Sequence, residues 1–166
     1  MATEVVTVRP VRSVAELART FDVVGAQFTP AFTSADARFV DLRRAWPEDR
    51  SLLLVAESGT GAGIVGGALG FRARTGDVVL RTIGLDPGVR GRGLGRRLVE
   101  TLVVAAMTLG AASVGAGGVE QATKGFYERL GFHGRGSTMR LELAPPGRIR
   151  DLHVRRLRAA LGATVP

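Results

Sequence analysis

The 166-residue sequence has no cysteine, only two histidines and no long apolar run. The lack of cysteine excludes disulfides, an acyl-cysteine intermediate and thiolate metal ligands. Because His133 and His153 are the only histidines, we expect no catalytic metal centre. No stretch approaches the ~18 unbroken apolar residues of a membrane span, so we expect no membrane partner. Residues 1–6 lack the basic start and apolar core of a secretory signal, which favours a cytoplasmic location.

What is present is the composition of one globular domain. Hydrophobic residues make up 45% of the chain and charged residues 23%. The formal net charge is +8, and Lys124 is the only lysine, so arginine carries nearly all of the positive charge. Arginine suits phosphate recognition because its planar fork donates two hydrogen bonds at once. The codon preferences of a GC-rich bacterial genome would produce the same bias, so charge alone assigns no partner.

Turn signals and hydrophobic periodicity divide the first half of the chain. Residues 5–9 alternate as a strand, and Ser13-Val14-Ala15-Glu16 has the form of a helix capping box. A second helix is predicted over residues 35–46, preceded by Ser34 and ended by Pro47. Three apolar segments separated by turn residues predict an antiparallel meander, at residues 52–56, 64–71 and 78–85.

Helices and strands also alternate in the second half of the chain. A helix from Gly95 to about Gly110 is followed by a weak strand over 112–116. The next helix covers 120–130 with Gly131 as its left-handed cap, and residues 138–143 form a last strand, alone or in a tight hairpin. The predicted fold class is α/β.

The segment Arg90-Gly91-Arg92-Gly93-Leu94-Gly95 is a glycine loop between a strand and a helix. A helix N-terminus offers unpaired N–H groups and partial positive charge, so such a loop can wrap a pyrophosphate. A Walker loop needs Gly-Lys-Ser/Thr, which is absent, and a Rossmann fingerprint needs Gly-x-Gly-x-x-Gly in a βαβ unit. The loop therefore indicates a phosphate-bearing cofactor of another kind.

Two segments, in this order, resemble hallmarks of the GCN5-related N-acetyltransferases (GNAT). Leu85-Asp86-Pro87-Gly88-Val89-Arg90-Gly91-Arg92-Gly93-Leu94-Gly95-Arg96-Arg97-Leu98 is similar to the central Arg/Gln-x-x-Gly-x-Gly/Ala motif. Gly125-Phe126-Tyr127-Glu128-Arg129-Leu130-Gly131-Phe132 resembles the later Phe-Tyr-Glu-x-x-Gly-Phe run. The resemblance covers residues 5–143 and implies a mixed, largely antiparallel sheet of about six to seven strands flanked by about four helices. We expect a GNAT domain over 1–144 and an amphipathic, arginine-rich helix over 145–166.

The resemblance also implies acetyl-CoA as cosubstrate and direct attack on its thioester by a primary amine of a small molecule or peptide. The cofactor's arm would pair with the strand Ile83-Gly84-Leu85, in which Gly84 suits a bulge, and the backbone of the glycine loop would hold the pyrophosphate. The residues assigned to the cofactor in this way are Ile83, Gly84, Leu85, Arg90, Gly91, Arg92, Gly93, Leu94, Gly95, Arg96, Glu120 and Phe126. Glu120 departs from the pattern, since the family often has an asparagine there.

For catalysis, the resemblance points to Tyr127, the only tyrosine, where many family members have a general acid for the coenzyme A thiolate. The alternative is a packed tyrosine with a wet hydroxyl. No general base is assigned, because Val79 stands where family members often have a glutamate. The remaining candidates are Glu57, Asp77, Glu120 and His133, each of which is also explained as a solvated side chain.

Three features of the sequence allow more than one interpretation. Phe28, Phe32, Phe39, Trp46 and Phe71 form either an aromatic wall for the acceptor or part of the core. Because the strand glutamate is missing, a catalytically silent acetyl-CoA-binding module is the alternative function. The tail's apolar face would dock on its own domain or on a second subunit of a homodimer. Its arginines are not interleaved with base-stacking aromatics, so no specific nucleic acid is expected.

Overall fold

A mixed seven-stranded sheet forms the centre of the computed structural model, which describes residues 5–59 and 63–143. Its strands are β1 Val6–Pro10, β2 Leu53–Ser58, β3 Gly63–Arg72, β4 Val78–Leu85, β5 Ser113–Ala116, β6 His133–Arg135 and β7 Thr138–Glu142. They lie in the order β1-β2-β3-β4-β5-β7-β6. Only β4 and β5 run parallel. The predicted α/β class, the meander and the largely antiparallel sheet are confirmed.

Four helices cover the two faces of the sheet. They are α1 Val14–Gly25, α2 Ala37–Ala45, α3 Leu94–Thr108 and α4 Gln121–Arg129. One buried cluster joins Leu98 and Leu102 of α3 to strand residues such as Leu80. The other joins Phe21 of α1 and Leu42 of α2 to β2 and β3. The helices therefore pack as α1 and α2 on one face and α3 and α4 on the other. None of the described helices is long and apolar enough to cross a membrane.

The start of α1 follows the predicted cap and extends it into an ion-pair network. The Ser13 side chain accepts a hydrogen bond from the Glu16 N–H at 3.1 Å. The Glu16 carboxylate accepts from the Arg12 N–H, 2.6 Å away, and from the Arg9 guanidinium at 2.7 Å. Arg9 also donates to Glu57 of β2 at 2.8 Å. The hydrogen bond from Arg9 lowers the pKa of Glu16 to about 2, although burial opposes this shift.

The predicted start of α2 is wrong by two residues. Its N-cap is Asp36, whose side chain accepts from the Arg38 N–H. The Ser34 N–H instead donates to the Asp22 carboxylate at 2.6 Å. The connecting segment, residues 26–36, is thereby folded back onto the end of α1 before α2 begins.

The bulge expected at Gly84 lies elsewhere. Gly84 pairs directly with Gly67, and the register of β3 against β4 shifts at Arg81, which has no residue opposite it. A Cβ at Gly84 would lie 3.1 Å from the Val24 carbonyl oxygen, so glycine here admits the end of α1 to the sheet. Gly84 therefore relieves crowding between the sheet and α1 rather than forming a bulge.

The last strand of the sheet belongs to a tight hairpin, one of the two predicted alternatives, and does not stand alone. β6 pairs with β7, and Gly131, at φ +88°, stands between α4 and β6 as the predicted left-handed residue. The helix predicted over 145–166, and the boundary before it, lie outside the described residues.

Candidate active site

The glycine loop leads into α3 with an open backbone. Gly93 is the N-cap of α3, with a left-handed φ of +77°, and Gly91 has a φ of +76°. A Cβ at either position would meet no atom within 4 Å. The two glycines are therefore required by backbone conformation, and the space in front of the loop is not filled by described residues.

Backbone donors collect at this helix start. The first intrahelical hydrogen bond runs from the Arg97 N–H to the Gly93 carbonyl at 3.0 Å. The N–H groups of Gly93, Leu94, Gly95 and Arg96 donate to no backbone carbonyl of the residues that the structure describes. Together with the helix dipole, they form an anion-binding surface.

The side chains of the loop are held by the protein itself. The Arg96 guanidinium donates to Glu100 at 2.7 Å, and Arg92 donates to the Gly88 carbonyl at 3.2 Å. The Arg90 guanidinium donates to the Leu85 carbonyl and to Gln27. Leu94 is buried in the core, 8% exposed, so only its backbone faces the loop. The backbone N–H groups of the loop are therefore its main hydrogen-bond donors for a ligand, and the arginine side chains add positive charge around them.

Towards the loop, β4 extends beyond the end of β5. The two strands pair only from Val78 to Leu80, whereas β4 continues to Leu85. On that side, residues 81–85 have no strand partner among the described residues. Such an edge presents free N–H and C=O groups to an extended ligand. The cleft between the strands opens directly at the glycine loop, because β4 runs into it.

Three elements converge at the mouth of this cleft. A Cβ at Gly95 would lie 3.5 Å from the Phe126 ring of α4 and 3.8 Å from the Leu85 side chain of β4. The structure thus brings together Leu85, Gly95 and Phe126, which the resemblance assigns to one site.

Tyr127 is buried one residue further along α4. It is 7% exposed, and its ring packs edge-on against Phe126 at 5.2 Å and Phe132 at 5.5 Å. Burial raises the pKa of Tyr127 to about 12, because the phenolate is desolvated. The phenol therefore keeps its proton at neutral pH.

The acidic candidates are dispersed. Glu57 is bound by Arg9, and Asp77 lies before β4, at the end of that strand away from the glycine loop, 3.6 Å from Arg140. Glu120 is exposed at the N-cap of α4, beyond the end of β5 where the cleft opens. Val79 itself pairs with Phe71 and Gly115, neither of which is acidic.

The histidine and aromatic candidates are surface or core residues. His133 is exposed on β6, opposite Arg140. Phe32 and Phe39 are buried in the cluster under α1 and α2, while Phe28, Trp46 and Phe71 pack partly buried against it. This supports the core explanation for Phe32 and Phe39. Within the described ranges no group of three or more His, Asp or Glu side chains could hold a metal ion.

Two residues of the site region were not predicted from the sequence. Gln27, at the end of α1, contacts Arg90 across 63 positions of sequence, and no local pattern signals such a contact. Thr82 lies in the part of β4 that extends beyond β5, with its Oγ1 buried and without a hydrogen-bond partner among the described residues. A signal for Thr82 did exist, since Arg81 and Thr82 are adjacent polar residues in a strand whose other side chains are apolar.

A mixed sheet in which β4 continues past the end of its parallel neighbour β5, and a glycine loop at the adjoining helix, together define a transferase of the GNAT class. A model of the acetyltransferase (GNAT) family matches residues 17–132, and the chain belongs to that family. A search of curated proteins finds no match.

Solved structures show the same fold. Ard1 from Thermoplasma volcanium is 20% identical, with a TM-score of 0.66 over 84% of this chain and 98% of that one. A GNAT family acetyltransferase from Brucella melitensis, in complex with acetyl-CoA, is 21% identical, with a TM-score of 0.62 over 84% and 89%. The yncA protein from Salmonella typhimurium, solved with its cofactor acetyl-CoA, is 25% identical, with a TM-score of 0.60 over 84% and 94%.

Proposed function

We propose that this protein transfers an acetyl group from acetyl-CoA to a primary amine of a small molecule or peptide, by direct attack in a ternary complex. The proposal rests on one observation: two surfaces of unpaired backbone groups adjoin each other. One is the edge of β4 after Leu80, and the other is the start of α3 at Gly93. The acetyl-CoA in the Brucella and Salmonella structures supports the choice of ligand.

The residues present fit such a ligand. An extended arm bearing amides would pair with the free edge at Ile83 and Leu85 as an added strand. A pyrophosphate would accept hydrogen bonds from the N–H groups of Gly93, Gly95 and Arg96. The open space before Gly91 and Gly93 leaves room for it.

Acetyl-CoA supplies an activated thioester, and the chain supplies positioning and polar groups around it. A backbone N–H near Leu85 would polarise the carbonyl. Tyr127 would donate a hydrogen bond to the departing sulfur. Since its pKa is about 12 and that of a free thiol is ~8.5, complete proton transfer is uphill, and stabilisation by the hydrogen bond is its main contribution.

The amine proton has no evident acceptor at Val79. We propose that the amine is bound already neutral or loses its proton to water, and that Glu120, exposed at the N-cap of α4, is an acidic side chain that could receive it. Activity should then rise with pH until the free amine is unprotonated. A plateau far below the pKa of the amine would instead require a side-chain base.

One observation favours a second candidate function. Val79 places an aliphatic side chain where the family often has a carboxylate, which fits a binding module without turnover. Release of free coenzyme A thiol with a panel of primary amines decides between the two: amine-dependent release supports the enzyme, and binding without release supports the module.

Calorimetry with acetyl-CoA tests the site itself. Gly93→Glu would place a negative charge at the expected phosphate position and should abolish binding. Because a side chain at a φ of +77° is also strained, Gly110→Glu is the matched control: Gly110 follows the other end of α3, with a φ of +82° and equally open space. The control should bind as the wild type does.

The outcomes are distinct. Micromolar binding that Gly93→Glu removes and Gly110→Glu retains would establish the site. Equal loss in both variants would attribute the effect to strain in α3. Absence of binding by folded wild-type protein would refute the proposed cosubstrate.

A further inference from the structure

The Arg90 side chain reaches out of the glycine loop to another element of the fold. Its Nε donates to the Leu85 carbonyl at 2.9 Å, and its Nη2 donates to Gln27 Oε1 at 2.8 Å. One contact holds the last residue of β4, and the other holds the residue two positions after α1. Arg90 thus connects the loop, the strand end and the helix end.

Gln27 is itself fixed for this contact. Its backbone N–H donates to the Val24 carbonyl at 3.1 Å, and its side-chain Nε2 donates to the Val23 carbonyl at 3.2 Å. With the amide nitrogen engaged on α1, the amide oxygen is directed to Arg90. The Gln27 side chain lies over Gly84, since a Cβ at Gly84 would stand 3.4 Å from Gln27 Cγ, in van der Waals contact.

We propose that Arg90 and Gln27 are positioning residues, which hold the end of β4 and the glycine loop in the arrangement that acetyl-CoA binds. The inference rests on the proposed function. In it the Arg90 guanidinium acts through its hydrogen bonds to Leu85 and Gln27 rather than as a phosphate contact. The backbone of the loop binds the ligand, and the Gln27–Arg90 pair reduces the ordering that binding would otherwise require.

Because Gln27 is uncharged, substitutions of it can separate a positioning role from electrostatic attraction of the phosphate. Gln27→Leu leaves the net charge unchanged, so a loss of acetyl-CoA affinity would come from positioning alone. Gln27→Glu loses the donor to the Val23 carbonyl but keeps an oxygen acceptor for Arg90, now in an ion pair, and should retain binding. Arg44→Leu, on the exposed side of α2, removes a positive charge elsewhere and controls for the general field.

The test is a double-mutant cycle with acetyl-CoA binding measured by calorimetry on the full chain. We expect Gln27→Leu to raise Kd about fivefold and Arg90→Leu about tenfold, the scale of one or two lost net hydrogen bonds. Because Gln27 acts through Arg90, the double variant should bind no more weakly than Arg90→Leu alone. Gln27→Glu and Arg44→Leu should remain within about twofold of the wild type.

Two results would overturn the inference. One is an unchanged Kd for Gln27→Leu, and the other is a double variant whose loss is the product of the two single losses. If Arg90→Leu fails to fold, as judged by its thermal unfolding, the comparison of Gln27→Leu with Gln27→Glu still decides. A wild-type protein that binds no acetyl-CoA would refute the proposed function, whereas a binding wild type with an indifferent Gln27 would refute this inference alone.

Discussion

Replacing Glu16 by glutamine should remove one of the strongest pH-dependent contributions to the stability of the fold. The carboxylate of Glu16 joins α1 to β1 through Arg9 and accepts the Arg12 N–H as well. The pair is nearly shielded from water, with side-chain exposures of 14% for Arg9 and 10% for Glu16. Solvent screening therefore weakens this ion pair less than it weakens a surface pair.

The magnitude follows from the shift in pKa. Arg9 holds the pKa of Glu16 at about 2, against an ordinary value of 4.5. At ~1.4 kcal/mol for each pKa unit, the ionised form gains on the order of 3 kcal/mol in the folded state. A pKa lowered on folding stabilises the protein above pH ~4.5, and this stabilisation is lost as the pH falls towards 2.

The assay is urea unfolding of the wild type and Glu16→Gln at a series of pH values from 7 to 2.5. The free energies of unfolding should differ by about 2–3 kcal/mol at pH 7 and converge at the acidic end. Glu57→Gln is the matched control, because Glu57 binds the same arginine through a side chain that is 40% exposed. It should cost less than about 1 kcal/mol.

A difference between wild type and Glu16→Gln that does not change with pH would refute the electrostatic argument, since it would come from packing. Equal losses for Glu16→Gln and Glu57→Gln would refute the assignment of the effect to burial.

Three further variants test the site and its surroundings. Tyr127→Phe should lower kcat by about 10- to 10²-fold, the scale of one hydrogen bond to a charged sulfur, and leave the Kd for acetyl-CoA unchanged; a change in Kd alone would assign the tyrosine to packing. Thr82→Val should raise the free energy of unfolding by about 1 kcal/mol, because the buried hydroxyl lacks a partner among the described residues; destabilisation in urea would show that the hydroxyl is bonded. Gly84→Ala should destabilise by about 1–3 kcal/mol, since its methyl group would press on the Val24 carbonyl; an unchanged thermal midpoint would contradict the close packing of α1.

Features that depend on neighbours in sequence could be predicted from the sequence. Ser13 caps α1 because its hydroxyl needs only the N–H three residues on. Gly131 adopts the positive φ that was predicted for it after α4, because a residue without a side chain tolerates this conformation. The order of strands, loop and helices follows from periodicity and from the resemblance between the two motifs and the family.

Features that depend on distant partners could not be predicted. The bulge falls at Arg81 because of how β4 pairs with β3, and Gly84 is a glycine because α1 approaches it from outside the sheet. The start of α2 depends on Asp22, which draws Ser34 back to α1. Arg90 shows the limit most clearly, because its place in the motif suggests a phosphate contact, whereas its hydrogen bonds run to Leu85 and Gln27.

The position of the site follows from two shortages of backbone partners. β5 has four residues and is followed by Gly117 and Gly118, so it ends while the eight-residue β4 continues. β4 then leads through the glycine loop into a helix whose first N–H groups have no carbonyl to bind among the described residues. Because unpaired backbone groups are costly when water is excluded, a ligand that pairs with both the strand edge and the helix start is favoured there. The glycine motif gives only the second of these surfaces, and the unequal lengths of β4 and β5 provide the first.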